Sequence, residues 1–412
     1  ALLEASHVVA AARHAKSFGI TFAEPEVDLH KMIERKDAVV GRLNKGIEML
    51  FKKNKITQVA GTGRLVASGE IEVASPAGET AAVKAKKIII ATGSEPLNIP
   101  VFAFDGELIL SSTDILDQTE LPASLLVLGG GYIGCEFACF FAEMGVKVFI
   151  VEMMDRCLPL GDADVSKEIT TALKKLKVKI HTGTKLEKLD KAGGKVVGTL
   201  SDGKTIEAAK ALISVGRRLN TGGIGLEDVG VEIGEQKQIV INEHCQTSVA
   251  NIYAIGDVTG KLLLAHLASR MGIVAAEHAA GEDAKIDYRV VPACVFTHPE
   301  AAEVGLTEAA AKEQGIEARA LTFPIQVLGR AQALGETGGF IKLVGDAKTG
   351  ELIGSQIVCS RAGEMIAEMA LAIELESTVG EVAKTIHTHP TLGEGTMEAA
   401  EGWLGHGIHY NA

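Results

Sequence analysis

The fold is decided by the stretch Leu125-Leu126-Val127-Leu128-Gly129-Gly130-Gly131-Tyr132-Ile133-Gly134. Its apolar start has the length of a buried strand, and the glycines lead into a helical pattern. The chain then returns as a second apolar run, Val146-Lys147-Val148-Phe149-Ile150-Val151-Glu152. Strand, glycine turn, helix and strand in this order predict a βαβ unit, in which the two strands are parallel.

Gly129, Gly131 and Gly134 have the G-x-G-x-x-G spacing of a dinucleotide-binding turn. The first glycine permits the tight turn, the second lets the backbone approach a pyrophosphate, and the third allows close packing of helix on strand. The alternative to a nucleotide site is a glycine turn that serves only the packing of the helix on the strand. Glu152 follows about twenty residues on, where a carboxylate can bind the adenosine ribose 2′-hydroxyl and repel the 2′-phosphate of NADP. This context favours a nucleotide site that takes NAD.

The segments before this unit indicate helix and then strand. Residues 1 to about 55 have a helical pattern, and residues 28–51 repeat apolar positions at three-to-four spacing, which predicts one long amphipathic helix. Residues 56–90 predict short strands that end in an apolar run and meet the turn Ala91-Thr92-Gly93.

The segments after it repeat the α/β alternation. A helix is predicted at 164–177 and a strand at 178–180, and a strand at 211–215 closes this region. The apolar run 251–255 leads into Gly256-Asp257 and then a helix. From about residue 288 strands and short helices alternate, which is typical of an α+β domain.

Two further turns point to a second cofactor. Ala91-Thr92-Gly93 and Gly256-Asp257 each follow a strand, and each alone is ordinary turn chemistry. Because they lie on either side of the inserted nucleotide unit, together they indicate a second site. There Asp257 would accept hydrogen bonds from a polyol such as the ribityl chain of a flavin.

Several motifs resemble, in order, those of the flavoprotein disulfide reductases, the class I pyridine nucleotide-disulfide oxidoreductases. They are Ile90-Ala-Thr-Gly-Ser, Gly129 to Glu136, Ser214-Val-Gly-Arg-Arg, Ile252-Tyr-Ala-Ile-Gly-Asp-Val and Thr297-His-Pro-Glu. The resemblance covers the whole chain and implies FAD and NAD as cofactors. By the family pattern, FAD would contact Ala91, Thr92, Gly93, Gly256, Asp257 and Ala265. NAD would lie along Gly129, Gly131, Gly134, Glu136, Glu152 and the turn from Gly216 to Arg218.

The resemblance also implies the domain organisation. We predict an α/β protein with two interleaved Rossmann-like dinucleotide-binding domains and a C-terminal α+β dimerisation domain. The FAD-binding domain would comprise residues 1–112 and 236–287, the NAD-binding domain residues 113–235, and the dimerisation domain residues 288–412.

The C-terminal stretch His387-Thr388-His389-Pro390-Thr391-Leu392-Gly393-Glu394 carries the candidate acid–base group. A histidine oriented by a carboxylate is a suitable acceptor for a thiol proton. His389 and Glu394 match the family's catalytic dyad, which serves the flavin of the other subunit, so the resemblance implies a homodimer. Thr391 and Glu394 also have the spacing of a capping box for a helix at about 396, which is a structural alternative for Glu394. His387 has no motif match and is interpreted as a surface or packing residue.

Charge and cysteine content restrict the partners and the compartment. The net charge of -12 disfavours nucleic acid and anionic membrane, because phosphate neutralisation needs clustered Lys and Arg. No apolar run has the length of a membrane helix. Six cysteines without a pairing framework favour a reducing compartment, the bacterial cytoplasm or the mitochondrial matrix.

Two family elements are not found in the 412 residues. These are a second G-x-G-x-x-G, for the FAD pyrophosphate, and a C-x-x-x-x-C redox pair. We expect a strand, a glycine turn and a helix start, on the order of thirty residues or more, to precede Ala1 in an intact enzyme, so that the chain is a fragment. Cys135 and Cys139 are poor replacements, because small thiols on this helix are typical packing residues. Cys157, Cys245, Cys294 and Cys359 are scattered singly.

Within the family the chain is most similar to members that oxidise dihydrolipoamide to lipoamide and pass electrons through FAD to NAD. The implied substrate is carried by the lipoyl domain of a 2-oxoacid dehydrogenase or glycine cleavage complex. A glutathione-reductase-like or mercuric-reductase-like enzyme is an alternative. A glutathione-reductase-like enzyme would be expected to carry basic residues for NADP in place of Glu152. A mercuric-reductase-like enzyme would be expected to carry extra C-terminal cysteines. The third hypothesis is that the chain is a non-catalytic, truncated nucleotide-binding homologue.

Overall fold

The computed structural model describes residues 1–410 and shows a mixed α/β protein. The α-helices are, in chain order, α1 (Leu2–His14), α2 (Leu29–Lys53), α3 (Tyr132–Glu143), α4 (Ala163–Lys175), α5 (Ala265–Ala280), α6 (Glu308–Glu313), α7 (Gly329–Leu334), α8 (Ala362–Glu374), α9 (Val379–Lys384) and α10 (Glu394–Leu404).

Within residues 1–410 the strands fall into six sheets. In chain order they are β1 (Thr62–Ala67), β2 (Glu70–Ala74), β3 (Thr80–Lys84), β4 (Ile88–Ile90), β5 (Ser94–Pro96), β6 (Ile109–Leu110), β7 (Ser124–Leu128), β8 (Lys147–Val151), β9 (Lys179–His181), β10 (Leu186–Ala192), β11 (Lys195–Leu200), β12 (Thr205–Ala208), β13 (Lys210–Ile213), β14 (Arg217–Leu219), β15 (Ile252–Ala254), β16 (Ala293–Val295), β17 (Glu300–Gly305), β18 (Ala318–Pro324), β19 (Phe340–Asp346) and β20 (Leu352–Cys359).

The chain forms two compact units. The first unit comprises residues 1–38, 98–215 and 289–412, and the second comprises residues 39–97 and 216–288. Each unit therefore contains segments that are distant in sequence.

A parallel sheet organises the nucleotide part of the first unit. Its strand order is β6-β13-β7-β8-β9, and all neighbours are parallel. Leu125, Leu126 and Val127 of β7 are fully buried, as expected for a central strand covered on both faces. Helix α3 connects β7 to β8, so the predicted βαβ unit is confirmed. A three-stranded antiparallel sheet, β10-β11-β12, adds to the same unit.

The C-terminal part of the first unit is built on an antiparallel sheet of order β16-β17-β20-β19-β18. Its core includes Phe323, Ile341 and Leu343 from the sheet together with Trp403 from α10. Buried Lys342 of β19 reaches Asp162, the N-cap residue of α4, with a distance of 2.7 Å between Nζ and Oδ1. This ion pair connects the sheet to the helix of the nucleotide part.

The second unit holds the other two predicted turns. Strands β4 and β15 pair in parallel, and β5 pairs with β14 antiparallel. The antiparallel sheet β1-β2-β3 and helix α5 complete the unit. Its apolar core includes Ile88, Ile90, Ile252 and Ala254 from the parallel pair.

One prediction for the N-terminal region is wrong. The pattern predicted helix from residue 1 to about 55, but the helix is interrupted after a short 3₁₀ turn that ends at Gly19. Gly19 has φ +77°, a left-handed conformation that terminates helices, and Pro25 lies in the non-helical stretch that follows. The long helix predicted at 28–51 is present as α2. No helix within residues 1–410 is long and apolar enough to cross a membrane.

Candidate active site and nucleotide sites

The glycine turn between β7 and α3 has the geometry that the sequence predicts. Gly129 has φ +102°, and a Cβ there would collide with the carbonyl of Ser214. A Cβ on Gly134 would overlap the carbonyl oxygen of Gly129, so the helix packs directly on the turn. Around Gly131, in contrast, a Cβ would meet only open space. The first turn of α3 has no side-chain cap, so its N-terminus can receive an anionic group.

Glu152 follows β8 directly and is buried against this turn. Its Oε2 accepts a hydrogen bond from the N–H of Gly130 and its Oε1 accepts one from the N–H of Met154, both at 2.7 Å. The carboxylate is thus fixed beside the glycines. Open space at Gly131, an uncapped helix N-terminus and a fixed carboxylate fit a dinucleotide with a free ribose 2′-hydroxyl.

The two other residues assigned to NAD have backbone contacts of their own. Glu136 of α3 accepts a hydrogen bond from the N–H of Phe296 at 2.9 Å. Burial raises the pKa of the Glu136 carboxyl above its ordinary value. Gly216 belongs to the second unit, has φ +130° and accepts a hydrogen bond from the N–H of Leu97 at 3.1 Å.

In the second unit the Ala91-Thr92-Gly93 and Gly256-Asp257 turns lie at the same edge of the parallel pair. They follow β4 and β15, whose carboxyl ends are adjacent. Gly93 and Gly256 have φ +67° and +70°, which glycine adopts without strain. Thr92 is held by a hydrogen bond from its hydroxyl to the carbonyl of Asn220 at 2.8 Å. The structure therefore brings together the two turns that are distant in sequence.

Asp257 is oriented by two residues that the sequence analysis did not assign to it. The Ser94 hydroxyl donates to its Oδ2 at 2.5 Å, and Arg217 Nε donates to that hydroxyl at 2.6 Å. Arg217 Nε lies 3.7 Å from the Asp257 carboxylate. The family motif placed the turn at Arg217 along NAD, and the structure shows this arginine beside Asp257. Both partners are the first residues of short strands, β5 and β14, and carry no spacing signal.

The residues of the second unit fit a flavin nucleotide. The Asp257 side chain keeps 23% of its surface exposed and can accept hydrogen bonds from a polyol. Ala265 is exposed and begins α5, whose N-terminus has no side-chain cap and can stabilise an electron-rich group. A cavity of about 890 Å³ lies beside Thr92 and the glycine-rich loop 221–225.

The predicted dyad is present at the start of α10. His389 Nδ1 lies 2.8 Å from Glu394 Oε1, and the N–H of Thr391 donates to Glu394 Oε2 at 2.8 Å. Partial burial alone would raise the pKa of Glu394, but these hydrogen bonds outweigh it and lower the pKa. Because Nδ1 faces an ionised carboxylate it carries the hydrogen, which leaves the lone pair on Nε2. The His389 side chain is 78% exposed, so Nε2 is open to a reactant.

The capping-box alternative for Glu394 is only half realised. The N–H of Thr391 donates a hydrogen bond to the Glu394 carboxylate, as in a capping box. The Thr391 hydroxyl, however, donates to the carbonyl of Thr388 and does not cap the helix. Helix α10 also begins at Glu394 itself, not at about 396. Glu394 thus serves the loop and His389 together.

The six cysteines are free thiols. Burial raises the pKa of Cys294 to about 12 and that of Cys245 and Cys359 to about 11, and it raises the pKa of Cys139 further. Cys135 is in contact with Cys157, and this hydrogen bond together with burial raises its pKa. Protonated, buried thiols are poor nucleophiles.

A charged cluster that sequence reasoning missed surrounds His298 of the Thr297-His-Pro-Glu motif. Its Nδ1 lies 3.1 Å from Oε1 of buried Glu143, and its Nε2 lies 3.9 Å from Glu336. The hydrogen bond with Glu143 and the close carboxylate of Glu336 raise the pKa of His298 to about 9. The His7 ring packs against it at 4.6 Å between centroids.

Comparison with known proteins gives the family. Residues 3–272 match the pyridine nucleotide-disulphide oxidoreductase family, and residues 291–400 match its dimerisation domain. A dihydrolipoyl dehydrogenase of Bacillus subtilis is 43% identical over 99% of this chain and 87% of its own length. One from Chlamydia pneumoniae is 39% identical over 87% of this chain and 77% of its own.

A solved structure agrees with these matches. LpdA from Mycobacterium tuberculosis superposes with a TM-score of 0.92 at 30% identity, over 97% of this chain and 88% of its own. The predicted α/β fold class is confirmed, and FAD and NAD, the predicted cofactors, are those of this family. The chain belongs to the pyridine nucleotide-disulphide oxidoreductase family.

Proposed function

We propose that this protein oxidises dihydrolipoamide to lipoamide, with FAD and NAD as electron carriers. The observation that carries the proposal is the His389–Glu394 pair, whose 2.8 Å contact leaves the imidazole Nε2 exposed. The similarity to dihydrolipoyl dehydrogenases at 39% and 43% identity supports the substrate.

His389 would take the proton that a thiol releases. Glu394 accepts the Nδ1 hydrogen and so directs the basic Nε2 outward. When the imidazole gains a proton, the adjacent carboxylate stabilises the positive charge. A proton acceptor of this kind lets a dithiol react as a thiolate.

Each nucleotide has a candidate set of residues. Gly129, Gly131, Gly134 and Glu152 would hold NAD, with Glu136 and Gly216 as further contacts. Ala91, Thr92, Gly93, Gly256, Asp257 and Ala265 would hold FAD. When bound, the flavin supplies two-electron transfer from a dithiol, which becomes a disulfide, to the nicotinamide.

The assembly follows from the same family. We propose a homodimer in which the dyad of one protomer serves the flavin of its partner, consistent with the dimerisation-domain match over residues 291–400. The substrate would arrive on a lipoyl domain of a 2-oxoacid dehydrogenase or glycine cleavage complex, in bacterial cytoplasm or mitochondrial matrix. The domain boundaries at 112/113, 235/236 and 287/288 remain a proposal.

A glutathione-reductase-like specificity is less favoured. Burial of Glu152 beside the glycine turn would place a negative charge where NADP carries its 2′-phosphate. A charge of the same sign at this position disfavours that nucleotide.

The test compares two chains. Residues 1–412 contain no C-x-x-x-x-C pair, so we expect this chain alone to give no NADH from dihydrolipoamide. Fusion to the N-terminal segment of the Bacillus subtilis relative, with the cysteine pair that the family resemblance implies, should restore NADH formation. In the fusion, His389→Gln should lower the rate by about 10²–10⁴-fold.

His409→Gln is the matched control, because His409 also pairs with a carboxylate, Glu398, at 2.6 Å. Full activity in the His389→Gln fusion, or NADPH as the preferred product, would contradict the proposal.

A further inference from the structure

A second histidine lies behind the dyad. His387 belongs to the segment between α9 and α10 that carries His389, and its side chain is only 10% exposed. Its Nδ1 lies 2.9 Å from the carbonyl oxygen of Thr385, and its Nε2 lies 2.9 Å from Oε1 of Glu368 on α8. His387 is therefore bound on both sides of its ring.

All the neighbours of these two nitrogens are acceptors. Thr396 Oγ1 lies 3.1 Å from Nε2, and its hydroxyl donates to the carbonyl of Gly393 at 2.7 Å or to Oε2 of Glu368 at 3.3 Å, so it presents a lone pair to the ring. A carbonyl or an ionised carboxylate has no hydrogen to give. Both ring nitrogens must then carry a hydrogen, and His387 is an imidazolium ion paired with Glu368.

The positive charge acts on the dyad. His387 Cδ2 lies 3.6 Å from the position that a Cβ would take on Gly393, the residue before Glu394. A positive charge there adds to the hydrogen bonds that lower the pKa of the Glu394 carboxyl. Among the charged and titratable groups, Glu368 of α8 and Glu394 of α10 act on or are acted on by His387, and His389 and Lys384 are its neighbours in sequence. An ionised Glu394 is what holds the Nδ1 hydrogen of His389 and directs Nε2 outward.

We propose that His387, held as an imidazolium by Glu368, is a positioning residue for the His389–Glu394 dyad. It anchors the segment from Thr385 to Gly393 to α8 and α10 and supplies a positive charge next to the start of α10, where Glu394 lies. The role in proton transfer rests on the proposed function, whereas the charge state of His387 does not.

The first experiment measures that charge in the unaltered 412-residue chain. Nitrogen NMR of the protein labelled with ¹⁵N-histidine reports whether each ring nitrogen carries hydrogen, and the His387 signals are assigned by their loss in His387→Gln. At pH 7 both nitrogens of His387 should be protonated. One unprotonated nitrogen would overturn the proposal, and the charge state is measured on the unaltered chain, with the variant used only for assignment.

The second experiment measures the effect on His389. His387→Gln keeps an N–H donor for Glu368 but carries no charge. Diethyl pyrocarbonate labels neutral imidazole, and mass spectrometry of the His389 peptide gives the pH at which labelling is half maximal. Removing a unit charge near the surface should move this midpoint upward by about half a pH unit.

His409→Gln, with its own carboxylate partner, should leave the midpoint unchanged. An unchanged midpoint in folded His387→Gln would overturn the positioning role even if the fusion enzyme is active. A shifted midpoint with no dihydrolipoamide oxidation would instead count against the proposed function alone.

Discussion

At the scale of single residues, Glu152 both binds the backbone of the glycine turn and carries the charge that would select the nucleotide. Both carboxylate oxygens accept backbone hydrogen bonds, from Gly130 and Met154, so its position does not depend on a bound nucleotide. Charge is therefore fixed in place before NAD binds. Preorganisation of this kind reduces the free-energy cost of ordering the site.

We expect Glu152→Ala to narrow the preference for NADH over NADPH. A hydrogen bond to a charged group contributes about 1.5–3 kcal/mol, so NADH affinity should fall by roughly 10- to 150-fold, whereas NADPH loses a repulsive neighbour. Fluorescence titration with both nucleotides measures the ratio without turnover. Glu187→Ala, at an exposed position of β10, is the control and should change neither affinity. An unaltered ratio in Glu152→Ala would remove Glu152 from the site.

Residue roles could be predicted where sequence spacing carries them. The interval from the glycines to Glu152 and the motif around His389 are local signals, and the structure places these residues as the spacing indicates. Arg217 beside Asp257, and His298 between Glu143 and Glu336, join positions far apart in the chain. Such pairings depend on the tertiary fold and have no local signature.

At the scale of elements, the turn between β7 and α3 separates two kinds of glycine. A Cβ at Gly134 would overlap backbone, whereas a Cβ at Gly131 would enter open space. The two positions therefore differ in whether glycine is needed for folding or for a ligand.

Gly134→Ala should destabilise the fold, because the clash is with backbone and cannot be relieved by a side-chain movement. Gly131→Ala should leave the unfolding temperature unchanged but weaken NADH binding, because its methyl group occupies the space for the pyrophosphate. Thermal unfolding and NADH titration of both variants are the measurements. Unimpaired NADH binding by Gly131→Ala would contradict the assignment of this turn to NAD.

Periodicity predicted the long elements and missed the short ones. Helix α2 and strands β7 and β8 are regular enough to be recognised. The sheet β10-β11-β12 is not among the sequence predictions, because its first strand, Leu186–Ala192, mixes lysine and acidic residues with few apolar positions and the other two strands are short. The break before α2 was missed because helical spacing continues across residues 15–18, which form only a 3₁₀ turn.

At the scale of the whole molecule, the cluster around His298 makes stability depend on pH. Hydrogen bonds with Glu143 and then Glu336 raise the pKa of His298 to about 9, above the value of 6.5 for an unperturbed histidine. A raised pKa stabilises the fold fully below pH 6.5, and this contribution disappears as the pH rises through about 9. The loss amounts to about 3 kcal/mol, as an order of magnitude.

We expect the free energy of unfolding to fall between pH 6.5 and 9, and His298→Gln to flatten this slope. Burial lowers the pKa of the neighbouring His7, so its protonation changes stability only below pH 6.5. The two proteins are therefore compared above pH 6.5. Denaturant titrations at several pH values give the slope. His30→Gln, which removes an exposed histidine paired with Glu34, should retain it. An unchanged slope in His298→Gln would show that the cluster does not control alkaline stability.

The parallel pairing of β4 with β15 has a consequence for biosynthesis. Ile88 pairs with Ile252, so one of the two strands leaves the ribosome long before its partner exists. Until then β4 lacks its partner strand, whereas β7, α3 and β8 are nearly contiguous and can associate early. Because non-local pairing delays folding, the segment around Ile88 to Ile90 is where a translating chain should depend most on chaperones.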